Sequence, residues 1–363
     1  MLELFKVKGF KNFKNEITMD FSDVRDYKFN AECINNNLLG KVIVYGKNSV
    51  GKTNLGLAMF DIVSHLTGNN VTPGLYKYFL CVDSEDNAAK FYYRFRFGSD
   101  IVEYSYSKNE KRELLNECLI INKKLIFDFG DNKFDFSGLK LINSTLNLEG
   151  IDVDSYLKFI INNSALTNDS PLKKLIDYVS KMLWFRSLDE NRFIGYRENS
   201  KDFFDFIFEE EYLEEFQELL LKAGVNEKIG VMQEIDGNKH LYFMKGKPVP
   251  FFKVASNGTK ALYTFFYWYK TAPQVSLMFI DEFDAFYHYE LSETIVGILE
   301  KMKSTQIILT SHNTNLLSNK IMRPDCYFIL TGERLVSVAN ATNRELREGH
   351  NLEKLYKSGE FNV

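Results

Sequence analysis

The residues whose types and spacing could do chemistry begin at Gly46-Lys47-Asn48-Ser49-Val50-Gly51-Lys52-Thr53. The apolar run Val42-Ile43-Val44-Tyr45 precedes this stretch. After it come Leu55, Leu57, Ala58, Met59, Ile62 and Val63, spaced for a helix. Strand, glycine-bracketed loop and helix are the context in which G-x-x-x-x-G-K-[ST] forms a phosphate site. Gly46 and Gly51 let the backbone curl until several N–H groups converge on one anion, and the helix N-terminus adds its dipole. Lys52 is expected to reach the β- and γ-phosphates and the Thr53 hydroxyl to ligate Mg2+. Asn48, Ser49 and Asn54 belong to the same loop and first helical turn. The implied ligand is a nucleoside triphosphate, ATP with Mg2+.

Two later stretches supply what such a site needs for turnover. Leu277-Met278-Phe279-Ile280 reads as a strand buried in a parallel sheet, and it ends in Asp281-Glu282. In open α/β sheets ligands bind at the carboxyl edge, where those acids emerge. Asp281 is expected to hold Mg2+ through water, and Glu282 to orient the attacking water as general base. The strand Gln306–Thr310 then leads to Ser311-His312-Asn313, and a histidine at that tip can hydrogen-bond the γ-phosphate and sense its loss. Upstream, Ser256-Asn257-Gly258-Thr259-Lys260 opens a helix. It is either an ordinary N-cap or a second anion site, and the latter implies a composite site shared between two protomers.

The elements that must position these groups read as follows. Leu2–Lys8 and Ile17–Phe21 alternate as an opening β-hairpin, and residues 23–40 read as a polar loop. After breaks at Gly68-Asn69-Asn70 and Pro73-Gly74, a two-residue period sets in at Phe91, Tyr93, Phe95 and Phe97 and runs on to Phe134 and Phe136. With turns at Gly98-Ser99-Asp100 and Gly130-Asp131-Asn132, this makes an antiparallel sheet. Its Tyr92/Arg94/Arg96 face is either a base-stacking surface or an outward amphipathic one. From 151 to 224 the period is helical, through Met182 and Leu183 to a third stretch between Asp202 and Leu220 rich in Phe and Glu. That acidic face is either solvated or a dock for a basic partner, and it repels phosphates. Residues 229–244 read as a hairpin turning at Asp236-Gly237. Three segments result: residues 1–150 as the first part of a nucleotide-binding head with a β-lobe, 151–227 as an inserted helical subdomain, and 228–363 as the rest of the head.

Composition narrows the classes. The 363 residues are 45% hydrophobic and 26% charged with a net charge of −4, an ordinary globular balance without a basic tail for nucleic acid. Cys33, Cys81, Cys118 and Cys326 form no C-x-x-C pair and read as reduced thiols of a cytoplasmic chain. No apolar run reaches the roughly 18 residues that suggest a membrane span.

In this order the pieces resemble the ABC-type ATPase heads of the SMC, RecF and OLD superfamily. Gly46–Thr53 looks like Walker A, Ser256–Lys260 like the signature motif, Leu277–Glu282 like Walker B and His312 like the switch histidine. The resemblance implies an α/β fold, a P-loop NTPase head of ABC type with an antiparallel β-lobe and an inserted helical subdomain. It implies that Lys11, in Gly9-Phe10-Lys11-Asn12-Phe13, touches nucleotide. It places Asp284 in the D-loop and His288 at a position usually followed by proline, where this chain has Tyr289. More narrowly, the Ser-x-Gly-Thr-Lys element and the tail Asn351–Phe361 resemble compact AAA-type ATPases of bacterial abortive-infection and anti-phage systems, with AbiL-, Septu- and PARIS-like relatives.

Three departures qualify that likeness. The usual Q-loop glutamine is missing, since none lies between Thr53 and Gln217. No long heptad run forms an SMC arm. The stretch 313–363 is too short for the nuclease domain that OLD proteins append. The expectation is a Mg-ATP-dependent switch, in which two heads, or a higher oligomer of them, sandwich ATP between each P-loop and the partner's Ser256-Asn257-Gly258. The resemblance implies a sensor or regulator in anti-phage defence controlling a separately encoded nuclease or toxin-like effector, with DNA or a phage component as a further partner and no membrane. The alternative is a RecF- or SMC-like repair ATPase that clamps DNA. A small-molecule P-loop kinase is disfavoured by the Ser-x-Gly-Thr-Lys element.

Overall fold

The computed structural model describes residues 1–68, 73–130, 133–148, 150–186, 192–195, 203–234, 237–271 and 274–363. The turn residues expected at Asn69-Asn70, Asp131-Asn132 and Asp236 lie outside the described residues, as does Asp202. Two seven-stranded sheets carry the architecture.

The nucleotide-binding sheet runs Arg192–Gly195, Met182–Arg186, Leu277–Asp281, Gln306–Ser311, Lys41–Tyr45, Tyr327–Leu330 and Leu335–Ser337. The five inner strands are parallel and the two outer ones antiparallel to their neighbours. Val42, Ile43, Val44, Leu277, Phe279, Ile308 and Leu309 are essentially inaccessible to solvent. Such burial is what continuous apolar runs specify in a sheet covered on both faces. Register pairs Leu309 with Ile43 and Ile280 with Leu309, so the carboxyl ends of these strands share one edge.

The second sheet is the β-lobe. Its order is Lys133–Asp135, Lys124–Gly130, Leu114–Ile121, Asp100–Lys108, Ala89–Phe97, Leu2–Lys8 and Ile17–Asp20, with antiparallel pairing throughout. The alternation assigns its faces correctly. Phe91, Tyr93, Phe95, Val102, Tyr104 and Tyr106 are buried inward. On the other face Glu3 pairs with Arg94 at 3.2 Å and Arg96 at 2.8 Å, so one carboxylate engages both arginines. Inward, the Asp61 carboxylate accepts from Lys108 Nζ at 2.6 Å and Tyr106 OH at 2.9 Å, joining the helix Asp61–Thr67 to the lobe. The lobes are also tied through Gln306, whose side chain accepts from Leu2 N and donates to Leu2 O.

One expectation needs correction. Met182 and Leu183 do not close a helix: the helix Pro171–Ser180 ends before them, and Met182–Arg186 is a strand beside Leu277–Asp281. A short, fully buried strand reads as a continuous apolar run, which periodicity alone cannot separate from buried helix. The acidic helix is Glu210–Lys222. Its Phe216 packs on Tyr263 and Phe266 of the helix Asn257–Thr271, at ring-centroid distances of 5.3 Å each. The insert therefore rests on the helix that Ser256 opens. Among the described residues no helix is long and apolar enough to cross a membrane.

Candidate nucleotide site

The loop after Lys41–Tyr45 closes tightly before the helix Lys52–Met59. Ser49 (φ 69°) and Gly51 (φ 104°) both adopt positive φ. At Gly51 glycine is obligatory on two counts: the conformation is one that side chains rarely adopt, and a Cβ would lie 2.6 Å from the Asn12 amide. Alternating backbone signs of this kind turn successive N–H groups toward one point, the geometry of an anion nest. Asn12 holds the loop from outside, donating to Val50 O at 2.9 Å and accepting from Asn54 Nδ2 at 2.7 Å. In the turn expected to touch nucleotide, then, Asn12 is the residue bonded to the P-loop. The Lys11 ammonium donates to Lys77 O at 2.7 Å, and burial lowers its pKa. The sequence alone gives Asn12 no role within that turn.

At the sheet's carboxyl edge the expected residues converge. Thr53 Oγ1 donates to Asp281 Oδ2 at 2.7 Å. Thr310 Oγ1 donates to Asp281 Oδ1 at 2.7 Å and accepts from Glu282 N at 2.8 Å. Burial pushes the Asp281 carboxyl above its ordinary range. The hydrogen bonds from Thr53 and Thr310 oppose that shift, and so does the positive charge of Arg186. Glu282 reaches the site through a left-handed backbone (φ 49°), an unusual conformation for a residue with a side chain and one that clusters at functional sites. Its carboxylate is held at both oxygens: Oε1 lies 3.1 Å from Lys52 Nζ, and Oε2 lies 2.9 Å from His312 Nδ1. Lys52 Nζ also donates to Gly46 O at 2.8 Å and Lys47 O at 3.2 Å. Asp284 lies buried just beyond, accepting from Ser311 Oγ at 2.8 Å, and burial raises its pKa.

The residues present fit a magnesium nucleotide. A backbone nest leads into a helix N-terminus, a buried lysine lies at the base of the loop, and a hydroxyl–carboxylate pair offers the hard oxygens Mg2+ prefers. Thr310 went unassigned in the sequence because its only signal is a polar residue at the end of an apolar strand. Arg186 was missed with the misread strand, yet Met182-Leu183-Trp184-Phe185 ahead of it repeats the pattern of Leu277–Ile280 ahead of Asp281.

The Ser256 turn stands apart from this cluster. Ser256 Oγ accepts from Thr259 N at 3.1 Å, so the residue caps the helix as expected. Ser256 and Asn257 are exposed. Among the described residues no hydrogen bond joins them to the P-loop of the same chain. Gly258 backs onto the turn that follows the acids, where a Cβ would lie 2.9 Å from Phe286 O.

Three solved structures are similar to this chain. A solved SMC head bound to the C-winged helix domain of ScpA superposes with a TM-score of 0.50 at 13% identity, over 93% of this chain and 97% of that one. The SMC head of Thermotoga maritima gives 0.45 at 15% identity, over 93% of this chain and 98% of that one. A Pyrococcus yayanosii Smc head with a coiled coil and joint gives 0.49 at 12%, over 99% of each chain. The first of these likenesses is one of fold, that of an ABC-type P-loop ATPase head. No curated protein sequence matches the chain. Residues 41–318, well over half of the chain, match the family described as "AAA domain, putative AbiEii toxin, Type IV TA system", and the chain belongs to that family of ATPases.

Proposed function

We propose that the protein is a Mg2+-dependent ATP hydrolase whose ATP-bound heads pair, and that this pairing controls a separately encoded effector in anti-phage defence. The observation that supports it most is the linked set Lys52–Glu282–His312 beside Thr53–Asp281–Thr310. Thr53 and Asp281 would hold Mg2+, which would supply positive charge to the phosphate oxygens. Phosphates entering the loop compete for Lys52 against Gly46 O, Lys47 O and Glu282. Once Lys52 turns to them, Glu282 is released to accept a proton from water, with His312 steadying its other oxygen. Asp281 and Glu282 thereby take separate roles, one held by two hydroxyls and the other by two cationic or ring nitrogens.

The exposed Ser256-Asn257 turn, a helix N-terminus offering donors to an anion outside its own chain, supports pairing. Two copies related by a two-fold axis complete both sites at once. ATP favours the closed pair because both chains contact it, and hydrolysis removes that differential contact. The defence role rests on the family, whose description names a toxin system. Cytoplasmic localisation, the Lys11 contact to nucleotide and the three-segment division of the chain are parts of the same proposal, with the strands Met182–Arg186 and Arg192–Gly195 of the middle segment belonging to the head's sheet.

The test is affinity purification of tagged Glu282→Gln protein from its native cell with Mg-ATP, read by native mass spectrometry. Several copies of this chain with an unrelated nuclease or toxin-like protein support the switch. A bare dimer carrying DNA overturns it in favour of a clamp, against which the acidic Glu211, Glu214 and Glu218 and the Glu3-paired arginines already weigh.

A further inference from the structure

Arg186 ends the strand Met182–Arg186, and in the parallel register it lies directly opposite Asp281, as Trp184 lies opposite Phe279. Side chains two apart on a strand share a face. The face of Trp184 and Phe279 is the one crossed by the P-loop helix: a Cβ on Gly56 would lie 3.1 Å from Trp184 Cε2 and 2.8 Å from Phe279 Cε1. That helix begins at Lys52 and Thr53, at the carboxyl edge of the sheet. Arg186 therefore shares the face of Asp281 and lies toward the helix's N-terminal end, where phosphates would sit. Its guanidinium carbon is 5.3 Å from the centroid of the Trp184 ring. Packing over that buried indole limits the directions the fork can take.

The charges near this edge make the placement meaningful. Asp281 and Glu282 are adjacent acids, and Lys52 is shared among Glu282 and two loop carbonyls. A triphosphate brings more negative charge here than a diphosphate, and a second fixed cation answers that difference. A planar guanidinium also suits it better than an ammonium, because it can meet two phosphate oxygens at once. We propose that Arg186 is a further residue of the nucleotide site, one that contacts the terminal phosphate and makes the head discriminate triphosphate from diphosphate. The inference rests on the nucleotide-binding reading above.

The test measures binding of Mg-AMP-PNP and Mg-ADP to the full-length wild-type chain, Arg186→Ala, Arg186→Lys and Lys52→Ala, with thermal denaturation as the folding control. Wild type that binds neither nucleotide refutes the nucleotide reading itself. Given wild-type binding that Lys52→Ala removes, Arg186→Ala is expected to lose about tenfold or more in AMP-PNP affinity with ADP affinity within about twofold, the size of one charge-assisted contact. Arg186→Lys is expected to lose less than Arg186→Ala and in the same nucleotide. Equal losses for both nucleotides would make Arg186 a support for Asp281 only, and no loss would give it no part in binding; either overturns the proposal. If Arg186→Ala fails to fold, the AMP-PNP to ADP ratio of Arg186→Lys decides alone: a lowered ratio supports the assignment and an unchanged one refutes it.

Discussion

Lys52 and Glu282 form an ion pair of 3.1 Å in which the lysine side chain is 4% exposed and the carboxylate 12%. Both charges are thus largely desolvated, and each is left costly if its partner is removed without replacement. The phosphate-binding lysine and the candidate base therefore hold each other until a stronger partner arrives. Glu282→Gln is expected to keep Mg-ATP binding, to lower turnover by about 100- to 10,000-fold, the range for general acid–base catalysis, and to accumulate the ATP-bound assembly. Phosphate release together with nucleotide binding checks this, and ordinary turnover removes Glu282 from the mechanism.

Thr310 connects the two acids by donating to Asp281 and accepting from the backbone of Glu282. Thr310→Val preserves shape and deletes both bonds, leaving a buried carboxylate oxygen and an N–H without that partner. The expected cost is about 1–3 kcal/mol of stability per orphaned group. Turnover should fall alongside, because Glu282 loses the bond that fixes its left-handed backbone. Denaturant melts and steady-state ATPase assays measure the two effects, and unchanged kinetics would show that Asp281 and Glu282 need no such link.

Gly258 faces Phe286 O so closely that an added methyl group must move one of them. Gly258→Ala should leave nucleotide affinity of the single head intact while ATP-dependent dimerisation is lost. Light scattering with and without Mg-ATP distinguishes these quantities. A variant that dimerises normally would exclude the Ser256-Asn257-Gly258 turn from the shared site.

Where the helix Asp61–Thr67 meets the β-lobe, Asp61 is fully buried against Lys108, itself 3% exposed. Asp61→Ala leaves that ammonium uncompensated, and removal of one partner of such a pair costs about 3–5 kcal/mol. Equilibrium unfolding measures the loss. A change near zero would mean that Lys108 finds other partners or gives up its proton, the direction in which burial already lowers its pKa.

Lys41 carries a pH signature. Its ammonium is buried, donating to Met302 O and Thr305 O, and burial lowers its pKa from 10.5 to about 8. Between these values the unfolded chain holds a proton that the folded chain lacks, so this group makes stability rise with pH across the window. Below about 8 the cost of burying the charge is borne in full. Relative to Lys41→Met, the wild type should therefore gain stability as pH rises from about 8 to 10.5. Parallel slopes for the two proteins would show that Lys41 titrates normally.

The sequence by itself determined the local parts of this protein, because local geometry is what residue types encode. Gly51 can take φ 104° where other residues rarely go, the apolar run before it must be buried strand, and Asp281-Glu282 must surface where such a strand ends. The alternation from Phe91 onward likewise assigned the faces of the β-lobe. Tertiary structure alone decided which neighbours those parts acquire. Met182–Arg186 is a strand held between Leu277–Asp281 and Arg192–Gly195, and so Arg186 arrives opposite Asp281. Asn12 rather than Lys11 bonds the P-loop, and Thr310 bridges two acids from a strand remote in sequence. The physical reason is one of range. Backbone preference and periodicity act over a few residues, whereas strand order and side-chain partnership are settled by burying every surface of the chain together.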